Sequence, residues 1–215
     1  MIGIFGGTFD PIHKGHVEVI EDFLNRVPID ELIIVPNGLP PHKDKRIFEK
    51  DKLRMVELAL KHIDKLRIDD REIKKSSPSY AYETLIELQK ENPDDDLIWI
   101  MGTDSFLEIE TWFEYKKFLQ EVNIMVLERP GFAIKEESFV YNLLQSKRVE
   151  KLSELESSKG QVFLLKINPI EITSTDIRCL IRDGEDVSKF LDPHVYKIIK
   201  ENKLYERTND SQSEK

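Results

Sequence analysis

The stretch that decides the fold lies near the start of the chain and reads Gly3-Ile-Phe-Gly-Gly-Thr-Phe-Asp-Pro-Ile-His-Lys-Gly-His16. It overlaps the short apolar run Ile2–Phe5 and leads into the amphipathic stretch Gly15–Arg26, so it predicts a strand, a glycine-rich turn and a helix. In an open α/β sheet, ligands bind outside the carboxyl ends of the strands, often against a helix N-terminus. The stretch therefore predicts a ligand site as well as a fold.

Short apolar runs alternate with amphipathic stretches along the rest of the chain, which favours a doubly wound, Rossmann-like α/β fold with a parallel sheet. The predicted strands are Ile2–Phe5, Glu31–Pro36, Leu66–Asp69, Leu97–Gly102, Asn123–Leu127 and Gln161–Lys166. The predicted helices are Gly15–Arg26, Glu49–Ile63, Tyr80–Glu91, Phe113–Glu121, Glu136–Gln145, Thr175–Arg182 and Pro193–Glu201. We expect one domain over residues 1–207, ending in a helical segment, and a disordered polar tail over residues 208–215.

Composition excludes several classes of protein. Of 215 residues, 40% are hydrophobic, which is enough for a packed core, and the formal net charge is −9. That charge argues against a nucleic-acid surface, and the longest apolar run, Leu97–Met101, is far too short for a membrane helix. A single cysteine, Cys179, suits a reducing compartment. We expect a cytoplasmic protein with small-molecule ligands; the sequence leaves a homo-oligomer open.

His13 and His16 open the first predicted helix, and their spacing places both rings on one side of it. They fit three interpretations: a solvent-exposed turn, a pair of metal ligands, or an anion site in which imidazole N–H groups donate to phosphate oxygens. A zinc site needs three or four ligands, and the chain has only one cysteine and three further histidines. We therefore prefer the anion site, in which Gly6 and Gly7 let a phosphate approach the backbone amides.

A second anion-binding motif, Ile172-Thr-Ser-Thr-Asp-Ile-Arg178, lies about 160 residues further along. The sequence predicts a helix that begins at Asp176 and is capped by Ser174 or Thr175. Hydroxyl groups and an arginine at a helix N-terminus can hold a phosphate. Together the two motifs suit one polyphosphate that is held from both sides.

The first motif resembles the signature of the HxGH nucleotidyltransferases. The rest of the chain resembles one branch of them, the bacterial nicotinate mononucleotide adenylyltransferases. The segments that carry this resemblance are Pro36–Lys43, Asp70–Glu72, Ser79–Leu85, Met101–Ser105 with Trp112, Glu128–Gly131, Thr173–Arg178 and Val195–Tyr205. They cover nearly the whole chain except the tail.

The resemblance implies a nucleotidyltransferase fold and a reaction of ATP with nicotinate mononucleotide that gives deamido-NAD and pyrophosphate in NAD biosynthesis. It implies Mg²⁺, bound mainly through the ATP phosphates, and no protein ligands to a metal. His16, His13 and Arg178 are implied to be catalytic. The residues implied to bind substrate are Gly6, Gly7, Thr8, Phe9, Lys43, Ser79, Tyr80, Ala81, Thr84, Gly102, Asp104, Trp112, Phe113, Arg129, Ser174 and Thr175.

In the family the nicotinate ring stacks on an aromatic residue at the position of Trp112, and backbone amides hold the ring carboxylate. This chain has Ala81 where the family commonly has threonine, and Glu83 where it has aspartate. If the amide of residue 81 binds the carboxylate, alanine is compatible with this role. If a hydroxyl is needed, selectivity for the acid weakens.

Several other functions compete with this interpretation. A nicotinamide mononucleotide or dual-specificity adenylyltransferase is the nearest alternative. Phosphopantetheine adenylyltransferases typically have threonine at the position of His13, and cytidylyltransferases lack the Pro36–Lys43 and Ser79–Leu85 segments. A non-catalytic nucleotide-binding module would be expected to lose catalytic residues that this chain keeps.

Overall fold

The computed structural model describes residues 1–38, 46–128, 134–156, 158–168 and 172–207. Its strands are β1 (Ile2–Gly7), β2 (Glu31–Pro36), β3 (Leu66–Ile68), β4 (Leu97–Gly102), β5 (Asn123–Glu128), β6 (Arg148–Val149) and β7 (Val162–Lys166). Its α-helices are α1 (Lys14–Arg26), α2 (Arg46–Leu60), α3 (Arg71–Lys74), α4 (Ala81–Glu91), α5 (Thr103–Leu107), α6 (Tyr115–Glu121), α7 (Phe139–Lys147), α8 (Ser174–Arg182) and α9 (Pro193–Glu201). Short 3₁₀ helices lie at Ile109–Thr111, Leu152–Glu156 and Ser188–Phe190.

The seven strands form one parallel sheet in the order β3-β2-β1-β4-β5-β7-β6. From β1 the chain first adds strands on one side, β2 and β3, and then continues on the other side with β4. This reversal opens a crevice at the carboxyl ends of β1 and β4, which is where ligands bind in doubly wound sheets. The predicted α/β fold is confirmed.

Side chains of each strand alternate between two apolar layers, one on each face of the sheet. Phe5, Leu32 and Ile34 pack in the layer that includes α1, α2, α8 and α9. Ile4 and Ile33 pack in the opposite layer, with α4, α6 and α7. Strands buried on both faces read as continuous apolar runs, and this is why the sequence predicted them well.

The structure differs from the sequence predictions at the ends of elements and in three short elements that were not predicted, β6, α3 and α5. The helix predicted from Phe113 begins at Tyr115, because Glu114 before it takes a left-handed conformation with φ of 53°. The helix predicted from Glu136 begins at Phe139, where the Ser138 hydroxyl accepts a hydrogen bond from the backbone of the first turn. In the ranges described above, every helix is too short or too polar to cross a bilayer.

Candidate active site

A cavity of about 1040 Å³ opens at the crevice between the ends of β1 and β4. Of the residues predicted to act in catalysis or binding, those lining it are Gly6, Gly7, Thr8, Phe9, His13, His16, Ser79, Tyr80, Ala81, Gly102, Asp104, Trp112, Phe113, Ser174, Thr175 and Arg178. Lys43 and Arg129 lie outside the described residues. The structure thus brings together segments that are far apart in the sequence.

The two histidines stack at the start of α1, with their ring centroids 3.8 Å apart. His13 is the N-cap residue, and its backbone N–H donates to Nδ1 of His16 at 3.2 Å. Since Nδ1 accepts, the neutral His16 ring carries its hydrogen on Nε2. The fold therefore fixes the tautomer in which Nε2 is the donor.

Phe9 lines the cavity and packs against the histidine pair. Only 2% of the residue is exposed, and its ring meets the His16 ring edge-on at a centroid distance of 5.2 Å. A Cβ on Gly7 would lie 2.7 Å from the Phe9 ring, so Gly7 makes room for that ring. Gly7 thus serves packing beneath the histidines, which the sequence did not indicate.

The N-terminus of α8 docks directly on the glycine-rich motif. Ser174 Oγ donates to the Pro11 carbonyl at 3.0 Å, and Arg178 Nη1 donates to the Asp10 carbonyl at 2.6 Å. Arg178 also donates from Nη2 to Thr175 Oγ1 at 3.1 Å. These bonds hold a guanidinium, two hydroxyls and a helix N-terminus beside the two histidines.

The predicted cap of this helix was wrong by one to two residues. Thr173 is the N-cap, and its hydroxyl accepts from the backbone of Asp176 at 3.1 Å while the Asp176 carboxylate accepts from the Thr173 backbone at 2.9 Å. Hydrogen bonds from Thr173 hold the pKa of Asp176 below its ordinary value. Because this reciprocal box occupies Thr173, the helix begins at Ser174, and both Ser174 and Thr175 lie in its first turn.

Aromatic side chains form the wall of the cavity opposite α8. Tyr80 and Phe113 are exposed and their rings pack together at 4.6 Å between centroids. Trp112 is half-buried and its ring contacts the core residues Trp99 and Phe118. Trp112 therefore lines the cavity and belongs to the core at the same time.

Two other predicted binding residues, Thr84 and Asp104, differ in their exposure: the first is buried and the second is exposed. Thr84 is fully buried behind the cavity wall, where its hydroxyl donates to Glu72 at 2.7 Å. Asp104 is exposed in the first turn of α5. The N-cap residue of that helix is Gly102, and not Asp104, and Thr103 is its first residue.

Sequence reasoning missed several polar residues of the cavity, among them Asp10, Asn37 and Glu72. Asp10 stands inside the quoted motif, so its position there was an available signal. Glu72 lies in a run of charged residues that is typical of a solvated surface, yet it is 6% exposed. No periodic pattern distinguishes such a buried charge from its exposed neighbours.

Comparison with known proteins agrees with this geometry. The model of the family described as cytidylyltransferase-like matches residues 4–180. A protein of Clostridium tetani named probable nicotinate-nucleotide adenylyltransferase is 38% identical, covering 94% of this chain and 97% of its own. A protein of Pseudomonas fluorescens with the same name is 34% identical, covering 97% and 98%. The solved Plasmodium falciparum nicotinic acid mononucleotide adenylyltransferase complexed with APC superposes with a TM-score of 0.72 at 20% identity, covering 95% and 96%, and so shows the shared fold.

We identify the chain as a nucleotidyltransferase from its parallel sheet, from the histidine pair and the N-terminus of α8 that line one cavity, and from these relatives. The chain belongs to the cytidylyltransferase-like family. Within that family it is similar, over nearly its whole length, to nicotinate-nucleotide adenylyltransferases. The resemblance noted in the sequence is confirmed.

Proposed function

We infer that this protein is an enzyme that transfers the adenylyl group of ATP to nicotinate mononucleotide, giving deamido-NAD and pyrophosphate in NAD biosynthesis. The observation that carries this inference is the docking of α8 on the glycine-rich motif, which sets Arg178 beside His13 and His16 in one cavity. The names of the relatives supply the substrate. The Plasmodium falciparum structures bind APC and, in a second complex, NaAD.

The chemistry requires alignment more than a protein nucleophile. The phosphate of a mononucleotide is largely dianionic near neutral pH, its second pKa being about 6, so it can attack the α-phosphorus of ATP directly. The protein must hold two repelling anions in line and supply donors for charge that grows on the phosphates. Histidine, arginine, hydroxyl and helix-end amide groups meet that need.

We assign the ATP phosphates to the region between α1 and α8. His16 donates from Nε2 to the α-phosphate as its charge grows, with His13 beside it. Arg178, Ser174 and Thr175 hold the β- and γ-phosphates, and the amides of the first turn of α8 add to them. Gly6, Gly7 and Thr8 line this end, and we assign Gly102 and Asp104, which also line the cavity, as contacts to the nucleotide.

We assign the mononucleotide to the aromatic wall. Its pyridine ring stacks on Trp112, next to Phe113. The ring carboxylate accepts from amides of the segment Ser79–Ala81, which precedes and opens α4. Amide donors favour a carboxylate over a carboxamide, because the carboxamide would present NH₂ to one of them. We propose Lys43 and Arg129 as further contacts to the phosphates and the substrate.

Mg²⁺ enters this proposal with the substrate. Among the described residues, no three His, Cys, Asp or Glu side chains are grouped to hold a metal ion. Beside its carboxylates the cavity presents Arg178, two histidines and backbone N–H groups, and these donors suit the oxygens of a metal–triphosphate complex. Bound to those oxygens, Mg²⁺ would offset negative charge on the triphosphate. We also propose that the protein works in the cytoplasm, since one exposed cysteine suits a reducing compartment.

The test is pyrophosphate release from ATP and Mg²⁺ with nicotinate mononucleotide or nicotinamide mononucleotide as acceptor. A large preference for the acid would support the proposed substrate and show that alanine at position 81 costs little. Comparable rates would indicate a dual-specificity enzyme. No turnover with either acceptor would overturn the proposal.

A further inference from the structure

Three polar side chains are buried at the cavity wall that holds the aromatic residues, and one of them, Glu72, lines the cavity. Lys52 is 1% exposed, Glu72 is 6% exposed and Thr84 is 0% exposed. Buried polar and charged groups are costly unless they are paired and hydrogen-bonded. The contacts of this trio, which we call the Glu72 network, therefore show what it holds in place.

Glu72 lies in α3 and bonds to both sides of the turn that leads into α4. Thr84 Oγ1, one turn into α4, donates to Glu72 Oε1 at 2.7 Å. Ser79 Oγ donates to the carbonyl oxygen of Glu72 at 3.2 Å. The segment Ser79–Ala81 lines the cavity. Both Ser79 and Thr84, which follows the segment, are hydrogen-bonded to Glu72, so Glu72 holds the segment near both of its ends.

The network also reaches the loop that follows β2. Lys52 Nζ donates to the carbonyl oxygen of Asn37, which lines the cavity. A Cβ on Gly38 would lie 2.5 Å from the carbonyl oxygen of Glu72, so the Gly38 backbone packs directly on α3. Burial lowers the pKa of Lys52, an effect opposed by the carboxylates of Asp10, Glu49 and Glu72. Burial raises the pKa of Glu72, an effect opposed by the Thr84 hydrogen bond and by Lys75 and Lys52. Two walls of the cavity therefore share one buried support.

We propose that Glu72 and Thr84 are positioning residues for the mononucleotide, which fix the backbone amides of Ser79–Ala81 in the geometry that binds the ring carboxylate. This inference rests on the proposed function. The ATP phosphates are assigned to the opposite side, between α1 and α8. Disturbing the network therefore weakens the binding of the mononucleotide more than that of ATP. It also reduces the preference of the enzyme for the acid over the amide.

The experiment measures KM for each substrate, kcat and the ratio of acid to amide turnover in Thr84→Val and Thr84→Ser. Valine keeps the shape of threonine and removes the hydroxyl. We expect Thr84→Val to raise KM for nicotinate mononucleotide by about tenfold and KM for ATP by less than about twofold, as expected for one lost positioning bond. Thr84→Ser, which keeps the hydroxyl, should restore the mononucleotide KM to within about threefold of the wild type.

A matched control separates positioning from loss of stability. Asn123 is a buried residue at the amino end of β5, and its side chain donates to the Leu155 carbonyl at 2.6 Å. The cavity opens at the opposite, carboxyl ends of the strands. Asn123→Leu should lower Tm without changing the ratio of the two KM values. If Thr84→Val does not fold, Ser79→Ala removes the other bond to Glu72 from a half-buried site and should shift KM in the same direction.

The outcomes distinguish this inference from the proposed function. Suppose that the wild type is active and that Thr84→Val changes both KM values equally. That result would overturn the positioning role alone. If Thr84→Val is unfolded, equal changes in Ser79→Ala would have the same meaning. An unchanged mononucleotide KM would do the same. A wild type that turns over neither acceptor would overturn the function and the inference together.

Discussion

The hydroxyl of Tyr205 donates a hydrogen bond of 2.8 Å to Oδ1 of Asp10, which lies 195 positions earlier in the chain. Burial and the nearby carboxylate raise the pKa of Tyr205, so the hydroxyl remains a donor at neutral pH. The carbonyl of the same Asp10 accepts from Arg178. One aspartate therefore joins the segment after α9, the helix α8 and the glycine-rich motif.

Tyr205→Phe tests whether this link supports catalysis. Loss of the hydroxyl leaves the Asp10 carboxylate short of a donor, so we expect the free energy of unfolding to fall by about 1–3 kcal/mol. We also expect kcat/KM for ATP to fall by about three- to tenfold, because Asp10 anchors Arg178. Urea unfolding and steady-state kinetics measure the two effects.

Tyr196→Phe is the matched control for that variant. Tyr196 lies on α9, where burial and the nearby Asp186 carboxylate raise the pKa of its hydroxyl, and neither residue lines the cavity. It should leave kcat/KM nearly unchanged. Equal losses in the two variants would show that the contact with Asp10 has no special part in the site.

His16→Ala tests the assigned phosphate donor. We expect kcat to fall by about 10²- to 10³-fold, the usual cost of removing one transition-state donor, while the chain still folds despite the lost bond to the His13 backbone. His62→Ala, at an exposed position where the ring contacts Glu21, is the control and should retain activity. Turnover by His16→Ala at the wild-type rate would contradict the assigned role.

Gly7→Ala tests the packing beneath the histidines. Its Cβ would lie 2.7 Å from the Phe9 ring, whereas a Cβ on Gly6 would lie at an ordinary 3.4 Å from Trp99. We expect Gly7→Ala to lower the free energy of unfolding by about 1–3 kcal/mol and Gly6→Ala to lower it by much less. Thermal unfolding of both variants checks this, and equal stabilities would show that Phe9 can shift without cost.

Much of the fold and part of the site were predictable because they depend on local patterns. The runs in β2, β4 and β5 are apolar because both faces of these strands are buried. The His13–His16 spacing indicates the N-terminus of a helix. The bond between Tyr205 and Asp10 is a contact of high sequence separation and has no periodic signature. The burial of Glu72 also has no periodic signature, because its neighbours Asp70 and Arg71 give the segment the charged composition of an exposed surface.

Arg178→Lys tests whether the planar guanidinium is required. Arg178 bonds the Asp10 carbonyl with one nitrogen and Thr175 Oγ1 with another, a geometry that a single ammonium cannot reproduce. We expect KM for ATP to rise by about tenfold, with the mononucleotide KM less affected. Arg182→Lys, at an exposed position one turn further along α8, is the control, and an equal change in both variants would contradict the prediction.

Glu72 should leave a signature in the pH dependence of stability. Burial raises the pKa of its carboxyl above the ordinary 4.5; Thr84, Lys75 and Lys52 oppose this shift, while Asp69 adds to it. The folded state then keeps the proton to higher pH than the unfolded state, so it binds more protons in that window and the free energy of unfolding falls as pH rises. Glutamine in Glu72→Gln keeps the shape and an acceptor for Thr84 but cannot titrate. We expect the stability of the wild type relative to this variant to decline as pH rises from about 4.5 towards neutrality, measured by urea unfolding at several pH values. Parallel stability curves would show that Glu72 ionises as readily in the folded chain as in the unfolded one.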